Sequence, residues 1–201
     1  MRDEEFIAGH FRQSVETLKR AADDQDLNSA IVTIAGVIAA AMRKGGKLLV
    51  AGNGGSAADA QHIAGEFLSR LNFDRDPLPA IALTTDTSVL TAIGNDYGFE
   101  SLFERQVKGL GRRGDILLAI STSGRSPNII AALKAAREAG ITTIGFTGDG
   151  QREMSALCDY ALRVPSNSTP QIQQIHIVAA HAICALVEVH LFGDRTAKAA
   201  K

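Results

Sequence analysis

The chain has 201 residues, of which 45% are apolar and 21% are charged, and its formal net charge is −1 at pH 7. These proportions are typical of a globular domain with a full hydrophobic core. A charge near zero gives no general attraction to nucleic acid or to an anionic membrane, and the absence of Trp argues against a base-stacking surface. We therefore expect a protein that binds neither nucleic acid nor membrane.

The cysteines and the N-terminal residues bear on the cellular compartment. Cys158 and Cys184 lie among apolar neighbours and form no Cys-x-x-Cys pair, which is typical of a reducing compartment. The first residues show no basic segment followed by an apolar run, and we find no run of 18 apolar residues. These features predict a cytoplasmic location.

The hydrophobic pattern predicts two helices followed by alternating strands and helices. Residues 3–24 and 27–45 form the two helices, and the second is apolar enough to bury two faces, one of them against another subunit. The predicted strands lie near 47–51, 79–84, 115–120, 141–147 and 159–163, and the later helices near 56–71, 87–94, 99–111, 126–139, 151–157 and 170–191.

This alternation predicts an α/β fold, because apolar strands separated by helices form parallel sheets covered on both faces. We expect a three-layer sandwich around a five-stranded parallel, flavodoxin-like sheet. The whole chain, 1–201, is predicted to be a single domain, in which 1–45 forms N-terminal helices used in oligomerisation and 46–192 forms the α/β core. Residues Asp194–Lys201 are predicted to be a frayed tail.

The segment after the first strand combines a glycine-rich turn with two polar helical residues. Ala51-Gly52-Asn53-Gly54-Gly55-Ser56 can bind an anionic or polyhydroxy ligand, because glycines let backbone N–H groups approach closely. His62 and Glu66 then lie on one helix face, since residues four apart are neighbours. They could hold a divalent metal or transfer protons at a carbonyl, and their spacing leaves both roles open.

The third strand ends in a cluster of hydroxyl residues, Ser121-Thr122-Ser123-Gly124-Arg125-Ser126. Ser126 followed by Pro127 is typical of a helix start, and capping alone would explain both residues. Capping does not explain the other hydroxyls. A helix N-terminus with free N–H groups suits a phosphate, so the pattern favours phosphate binding. Because ligands bind at the carboxyl ends of parallel strands, this loop and the glycine turn are expected to share a pocket.

The last predicted helix carries polar side chains in apolar surroundings: Gln171, Gln173, Gln174, His176 and His181. A histidine on an apolar helix is more often a core residue than a ligand. Gln173 and His181 are eight residues apart, about 12 Å along a helix axis. Binding of both to one ion from a single helix would be difficult, and a neighbouring subunit would relieve this.

Taken together, the motifs resemble those of the phosphoheptose isomerases, a family of the sugar isomerase (SIS) superfamily of phosphosugar-binding domains. The resemblance covers nearly the whole chain. It depends on five segments in order: 51–56, His62-Ile63-Ala64-Gly65-Glu66, Gly94-Asn95-Asp96-Tyr97-Gly98-Phe99, 121–126, and Ile172-Gln173-Gln174-Ile175-His176 with His181. Pro170 departs from the polar or small residue that relatives often carry there.

The resemblance implies an aldose–ketose isomerase that converts sedoheptulose 7-phosphate for heptose precursor biosynthesis. It implies Glu66 and His181 as catalytic residues and a homotetramer with sites between subunits. It also implies one Zn²⁺ per subunit, with ligands His62, Glu66, Gln173 and His181. The implied substrate-binding residues are Asn53, Gly54, Gly55, Ser56, Glu66, Asn95, Asp96, Ser121, Thr122, Ser123, Ser126 and Gln173.

One alternative keeps the fold without the chemistry. A relative in the same superfamily is a non-enzymatic tetramer that binds the bacterial replication initiator DnaA, and such a protein should lack the catalytic carboxylate or imidazole. Glu66 and His181 are both present here, which favours the enzyme. A sugar-phosphate sensing module would need a DNA-binding domain, for which 201 residues leave little room.

Overall fold

The structure is a computed structural model that describes residues 2–150 and 153–193. The strands are β1 (Leu48–Gly52), β2 (Ala80–Ala82), β3 (Ile116–Ile120), β4 (Thr142–Thr147) and β5 (Tyr160–Arg163). The α-helices are α1 (Asp3–Asp23), α2 (Gln25–Arg43), α3 (Gly55–Leu68), α4 (Thr87–Tyr97), α5 (Leu102–Leu110), α6 (Pro127–Glu138), α7 (Glu153–Leu157) and α8 (Thr169–Phe192), and a 3₁₀ turn (Phe99–Ser101) precedes α5.

The five strands form one parallel sheet in the order β2-β1-β3-β4-β5. This confirms the predicted flavodoxin-like sheet and the α/β class. The chain adds β2 on one side of β1 and then returns to add β3 on the other side. The loops that follow β1 and β3 therefore leave the sheet in opposite directions and open a crevice between them.

Alternate residues of the strands point to two separate hydrophobic layers. Leu48 and Leu118 face one layer with α2, α3 and α8, and Leu49 and Leu117 face the other with α4, α5, α6 and α7. Two of the helices on the first face, α2 and α8, are long and apolar enough to cross a bilayer. Both pack on the sheet through core residues such as Ile38, and core helices commonly share this composition.

The predicted helix near 87–94 was too short, because α4 continues to Tyr97. Asp86 caps the start of the helix, because its side chain accepts a hydrogen bond from the backbone N–H of Val89 at 3.0 Å. The helix stops at Gly98, which has φ +84°. Asn95 and Asp96 are consequently helical. The predicted frayed tail, Asp194–Lys201, lies outside the described residues, as does the predicted start of the helix near 151.

Helix α1 packs loosely on the rest of the chain. Only Thr17 and Ala21 of this helix are buried. Its apolar stripe is exposed: Phe6, Phe11, Val15 and Leu18, as the sequence pattern marks them, are joined by exposed Ile7. Large apolar side chains in such a row usually indicate a surface that contacts another protein.

Candidate active site

The glycine turn, Gly52–Gly55, connects β1 to α3. At two of its positions the structure favours glycine over any other residue. Gly54 has φ +55°, a conformation that side chains other than glycine rarely adopt. At Gly55 the backbone is unstrained, but an added Cβ would lie 2.5 Å from Nε2 of Gln173. Gly55 therefore leaves room for the Gln173 amide beside the first turn of α3.

The serine loop, Ser121–Ser126, connects β3 to α6. Ser121 is buried, and its Oγ lies 2.9 Å from Oγ of Ser126 and 3.5 Å from Oγ of Ser123. Ser126 caps α6 by position, yet its side chain makes no capping hydrogen bond. The hydroxyls thus converge on one another above the open N-terminus of α6, where an anion is favoured.

A pair of amide side chains joins the glycine turn to the serine loop. Asn53 donates to Oδ1 of Asn128 at 2.9 Å, and Asn128 donates back to Oδ1 of Asn53 at 2.9 Å. Asn128 lies in the first turn of α6 and is buried. The pair spans the crevice between β1 and β3, so the two predicted binding segments belong to one site.

His62, Glu66 and His181 form a second group, which we call the imidazole–carboxylate cluster. Nε2 of His62 lies 2.8 Å from Nε2 of His181 and 3.3 Å from Oε1 of Glu66. The ring planes of the two histidines are 66° apart, and the side chain of His62 is 47% exposed. The predicted pairing of these three residues is thus present within a single chain.

The donor atoms of the cluster suit a divalent metal. One atom from each of the three residues lies within 4.8 Å of the others. Two imidazole nitrogens that bind one tetrahedral zinc are about 3.3 Å apart. The observed 2.8 Å therefore requires only a small separation of the rings. Two histidines and a carboxylate, with an open fourth position, are typical ligands of a catalytic zinc ion.

Gln173 is separated from this cluster within one chain. It contacts Gly55, while His181 on the same helix contacts His62. The first contact joins the start of α3 to the start of α8, and the second joins later residues of both helices. The two helices therefore run side by side in the same direction. Gln173 then lies about 12 Å along the helix axis from His181. A shared ion would need Gln173 from another copy of the chain.

The predicted sugar contacts on α4 are not brought to the site within one chain. Nδ2 of Asn95 donates to Oδ1 of Asp96 at 2.7 Å, and both residues are exposed. Asp96 lines a cavity of about 710 Å³ with Tyr97 and Arg105. Across residues 2–150 and 153–193, no hydrogen bond joins Asn95 or Asp96 to the serine loop or the glycine turn.

Comparisons with known proteins agree with this geometry. A sequence model described as the SIS domain matches residues 10–148. The phosphoheptose isomerase of Burkholderia pseudomallei strain 1710b is 53% identical over 94% of this chain and 96% of the relative. That of Bradyrhizobium sp. strain BTAi1 is 56% identical over 95% of this chain and 96% of the relative. The chain belongs to the phosphoheptose isomerase family.

Solved structures of this family have the same fold. The phosphoheptose isomerase GmhA from Neisseria gonorrhoeae has a TM-score of 0.86 and 44% identity, covering 92% of this chain and 98% of that chain. The phosphoheptose isomerase from Francisella tularensis has a TM-score of 0.89 and 37% identity, covering 93% of this chain and 98% of that chain. The resemblance stated from the motifs is confirmed.

Sequence reasoning missed two residues beside the site of this phosphoheptose isomerase family member. Asn128 pairs with Asn53, and only its position three residues after Gly124-Arg125 could have suggested a role. Asp59 lies one turn before His62, and its Oδ2 is buried without a hydrogen-bond partner. Burial raises the pKa of the Asp59 carboxyl, while nearby His62 lowers it.

Two polar residues of α8 are structural. Oε1 of buried Gln171 accepts hydrogen bonds from Thr17 at 3.1 Å and from Ser166 at 3.2 Å. His176 is buried, and its Nε2 donates to the carbonyl oxygen of Thr147 at 3.3 Å. These contacts explain why α8 carries polar side chains that face the protein interior.

Proposed function

We propose that the chain interconverts sedoheptulose 7-phosphate and D-glycero-D-manno-heptose 7-phosphate, the first step toward an ADP- or GDP-activated heptose. The observation that carries the proposal is identity above 50% to phosphoheptose isomerases over nearly the full length of both proteins. The geometry supports it, because hydroxyls suited to a phosphate are linked through Asn53 and Asn128 to the turn that opens α3.

The reaction moves one proton between two neighbouring carbons. A base removes a proton from C1 of the ketose, which gives an enediolate, and returns it to C2. A second proton moves from O1 to O2. Glu66 is suited to the carbon-bound proton, because its Oε1 lies 3.3 Å from Nε2 of His62 while no hydrogen bond joins its other carboxylate oxygen to a described residue. His181 is our choice for the acid that serves the oxygens.

The serine loop is proposed to bind the phosphate through Ser121, Thr122, Ser123 and Ser126. Phosphate binding lies away from the reacting carbons and supplies binding energy for their positioning. The remaining sugar contacts are assigned to residues of three elements. These are Asn53, Gly54, Gly55 and Ser56 at the start of α3, Asn95 and Asp96 on α4, and Gln173 on α8.

The residues proposed to hold zinc are His62, Glu66 and His181, with Gln173 from a neighbouring subunit. The fit of the donor set described above supports this assignment. A bound zinc ion supplies positive charge that polarises sugar oxygens and stabilises an enediolate. The chain's own residues then orient the sugar and carry the protons.

We further propose that the chain is a cytoplasmic homotetramer in which residues 1–45 take part in oligomerisation and 46–192 form the core. The exposed apolar stripe of α1 supports an assembly, since Phe6 is 66% and Phe11 67% exposed. The separation of Gln173 from His181 along α8 also supports one. A second subunit could supply the missing contacts.

Proton NMR with sedoheptulose 7-phosphate in D₂O tests the proposed function. The expected result is a new aldose anomeric signal that grows with enzyme concentration. Turnover should be lost after treatment with a chelator and restored by Zn²⁺. A purified, folded protein that gives no aldose signal in the presence of Zn²⁺ would contradict the proposal.

A further inference from the structure

We propose that Arg75 and Glu188 are positioning residues that hold α3 and α8 at the spacing the imidazole–carboxylate cluster requires. Nε of Arg75 lies 3.0 Å from Oε1 of Glu188, and each side chain is only 1% exposed. The proposal rests on the proposed function for its kinetic consequences. The link that Arg75 and Glu188 form between α3 and α8 does not depend on which reaction is catalysed.

Glu188 lies on the same face of α8 as His181. The two residues are seven positions apart on α8, close to two full turns. Oε1 of Glu188 also accepts from the backbone N–H of Leu71 at 2.9 Å, and Oε2 accepts from that of Asn72 at 3.0 Å. One carboxylate on α8 thus binds the segment that follows α3.

Arg75 completes the connection by binding the last turn of α3. Its Nη2 donates to the carbonyl oxygen of Glu66 at 2.7 Å, and its Nη1 donates to that of Phe67 at 2.8 Å and of Ser69 at 3.2 Å. The carbonyl groups at a helix end have no partners within the helix. The guanidinium therefore caps α3 and holds the backbone of Glu66 itself.

The geometry of the contacts made by Arg75 indicates that they fix the position of α3 relative to α8 as well as stabilising the fold. A buried ion pair often stabilises a fold no better than apolar residues of the same size. A guanidinium, by contrast, presents its donors in a rigid plane, so its acceptors are fixed relative to one another. Here the acceptors come from α3 and α8. The contact between Arg75 and the ring of Phe192, 5.9 Å away, adds a further link to α8.

Three contacts now define the alignment of the two helices: Gln173 with Gly55, His181 with His62, and Glu188 with Leu71 and Asn72. Loss of the last contact would free the end of α3 that carries Glu66. A displacement of about 1 Å in an active site can lower turnover by about 100-fold. Among the described residues no hydrogen bond joins the serine loop to Arg75 or Glu188, so phosphate binding should be spared.

The test compares Glu188→Gln and Arg75→Lys with Asp115→Asn. Asp115 is a matched control, because it is a buried carboxylate that pairs with Lys47 and accepts from the backbone N–H of Lys47 and Arg112. It lies where β1 and β3 begin, and its side chain hydrogen-bonds only to Lys47 and Arg112 among the described residues, so it contacts neither α3 nor α8 through a hydrogen bond. All three variants should lose thermal stability.

In Glu188→Gln and Arg75→Lys we expect kcat to fall about tenfold or more while KM for the sugar phosphate stays within about twofold. Zinc affinity, measured by competition with a chromogenic chelator, should fall about 10- to 100-fold, as for other groups that orient metal ligands. In Asp115→Asn both quantities should stay within about twofold of the parent.

Two results would overturn the proposal: unchanged kcat and zinc affinity in folded Glu188→Gln or Arg75→Lys, or equal losses in Asp115→Asn. If one variant does not fold, the other carries the test. Zinc affinity is measured without substrate. A parent protein that lacks isomerase activity would therefore contradict the proposed function and still leave the positioning role open to this measurement.

Discussion

The serine loop and the imidazole–carboxylate cluster are proposed to serve one reaction, but the chain builds them differently. The serine loop takes its hydroxyls from six consecutive residues between β3 and α6. The cluster joins His62 and Glu66 on α3 to His181 on α8, 119 positions further along the chain than His62. A contiguous loop keeps its shape through local backbone geometry, whereas the cluster depends on how two helices pack.

The largest expected effect comes from the cluster. Glu66→Gln should lower kcat by at least about 100-fold, because general acid–base groups typically contribute that much. Its oligomeric state and its thermal unfolding temperature should remain those of the parent. Steady-state kinetics with sedoheptulose 7-phosphate measures the loss, and Glu104→Gln on α5 is the control. Normal turnover in Glu66→Gln would remove this residue from the role of base.

The serine loop should respond in KM instead. Ser123→Ala combined with Ser126→Ala should raise KM for the sugar phosphate by roughly tenfold or more, as expected for lost hydrogen bonds to a charged group. The value of kcat should change much less, because the cluster is untouched. An unchanged KM would place the phosphate elsewhere. It would contradict the assignment of phosphate binding to the serine loop and of proton transfer to the cluster.

Gly55→Ala should give a smaller effect that reports on the contact between α3 and α8. The new Cβ would displace the Gln173 amide, since it would lie 2.5 Å from Nε2. Loss of one hydrogen bond changes kcat/KM by roughly two- to tenfold. In a Gln173→Ala background the same substitution should add almost nothing. Fully additive effects in this double-mutant cycle would contradict a shared role for the two residues.

His176 should make the free energy of unfolding depend on pH. At neutral pH it should have little effect on the serine loop or on the imidazole–carboxylate cluster. Burial lowers the pKa of His176 to about 4 from its ordinary value of 6.5. The folded state favours the neutral ring, so the stability contribution is complete above pH 6.5 and is lost as the pH falls toward 4. The expected loss between pH 7 and pH 5 is about 2 kcal/mol.

Chemical denaturation at these two pH values, compared between the parent protein and His176→Leu, isolates this contribution. The difference in unfolding free energy between pH 7 and pH 5 should be smaller in the variant by about this amount. Equal pH dependence in the two proteins would show that His176 does not couple the packing of α8 to pH.

Features encoded in short segments were predictable from the sequence. The serine loop follows a continuous apolar strand and precedes Ser126-Pro127, which is a local helix start signal. His62 and Glu66 face the same way because their spacing matches one helical turn. In each case the neighbours that decide the structure are within a few residues.

Contacts between distant elements were not predictable in the same way. The Asn53–Asn128 pair, the Arg75–Glu188 pair and the close approach of Gln173 to Gly55 all depend on side-chain packing across 75 or more positions of the chain. The end of α4 was misplaced for a different reason. The predicted range ended at Gly94, but a glycine inside a helix lowers its stability only modestly and the helix continues to Tyr97.

The parallel alignment of α3 and α8 limits how the chain can change its length. Seven positions separate Gly55 from His62, and eight separate Gln173 from His181, so the contacting pairs stay matched. A single inserted or deleted residue between the members of either pair would turn the rest of that helix by about 100° and shift it by 1.5 Å. Insertions in homologous chains are therefore expected in the connecting loops and not within these two intervals.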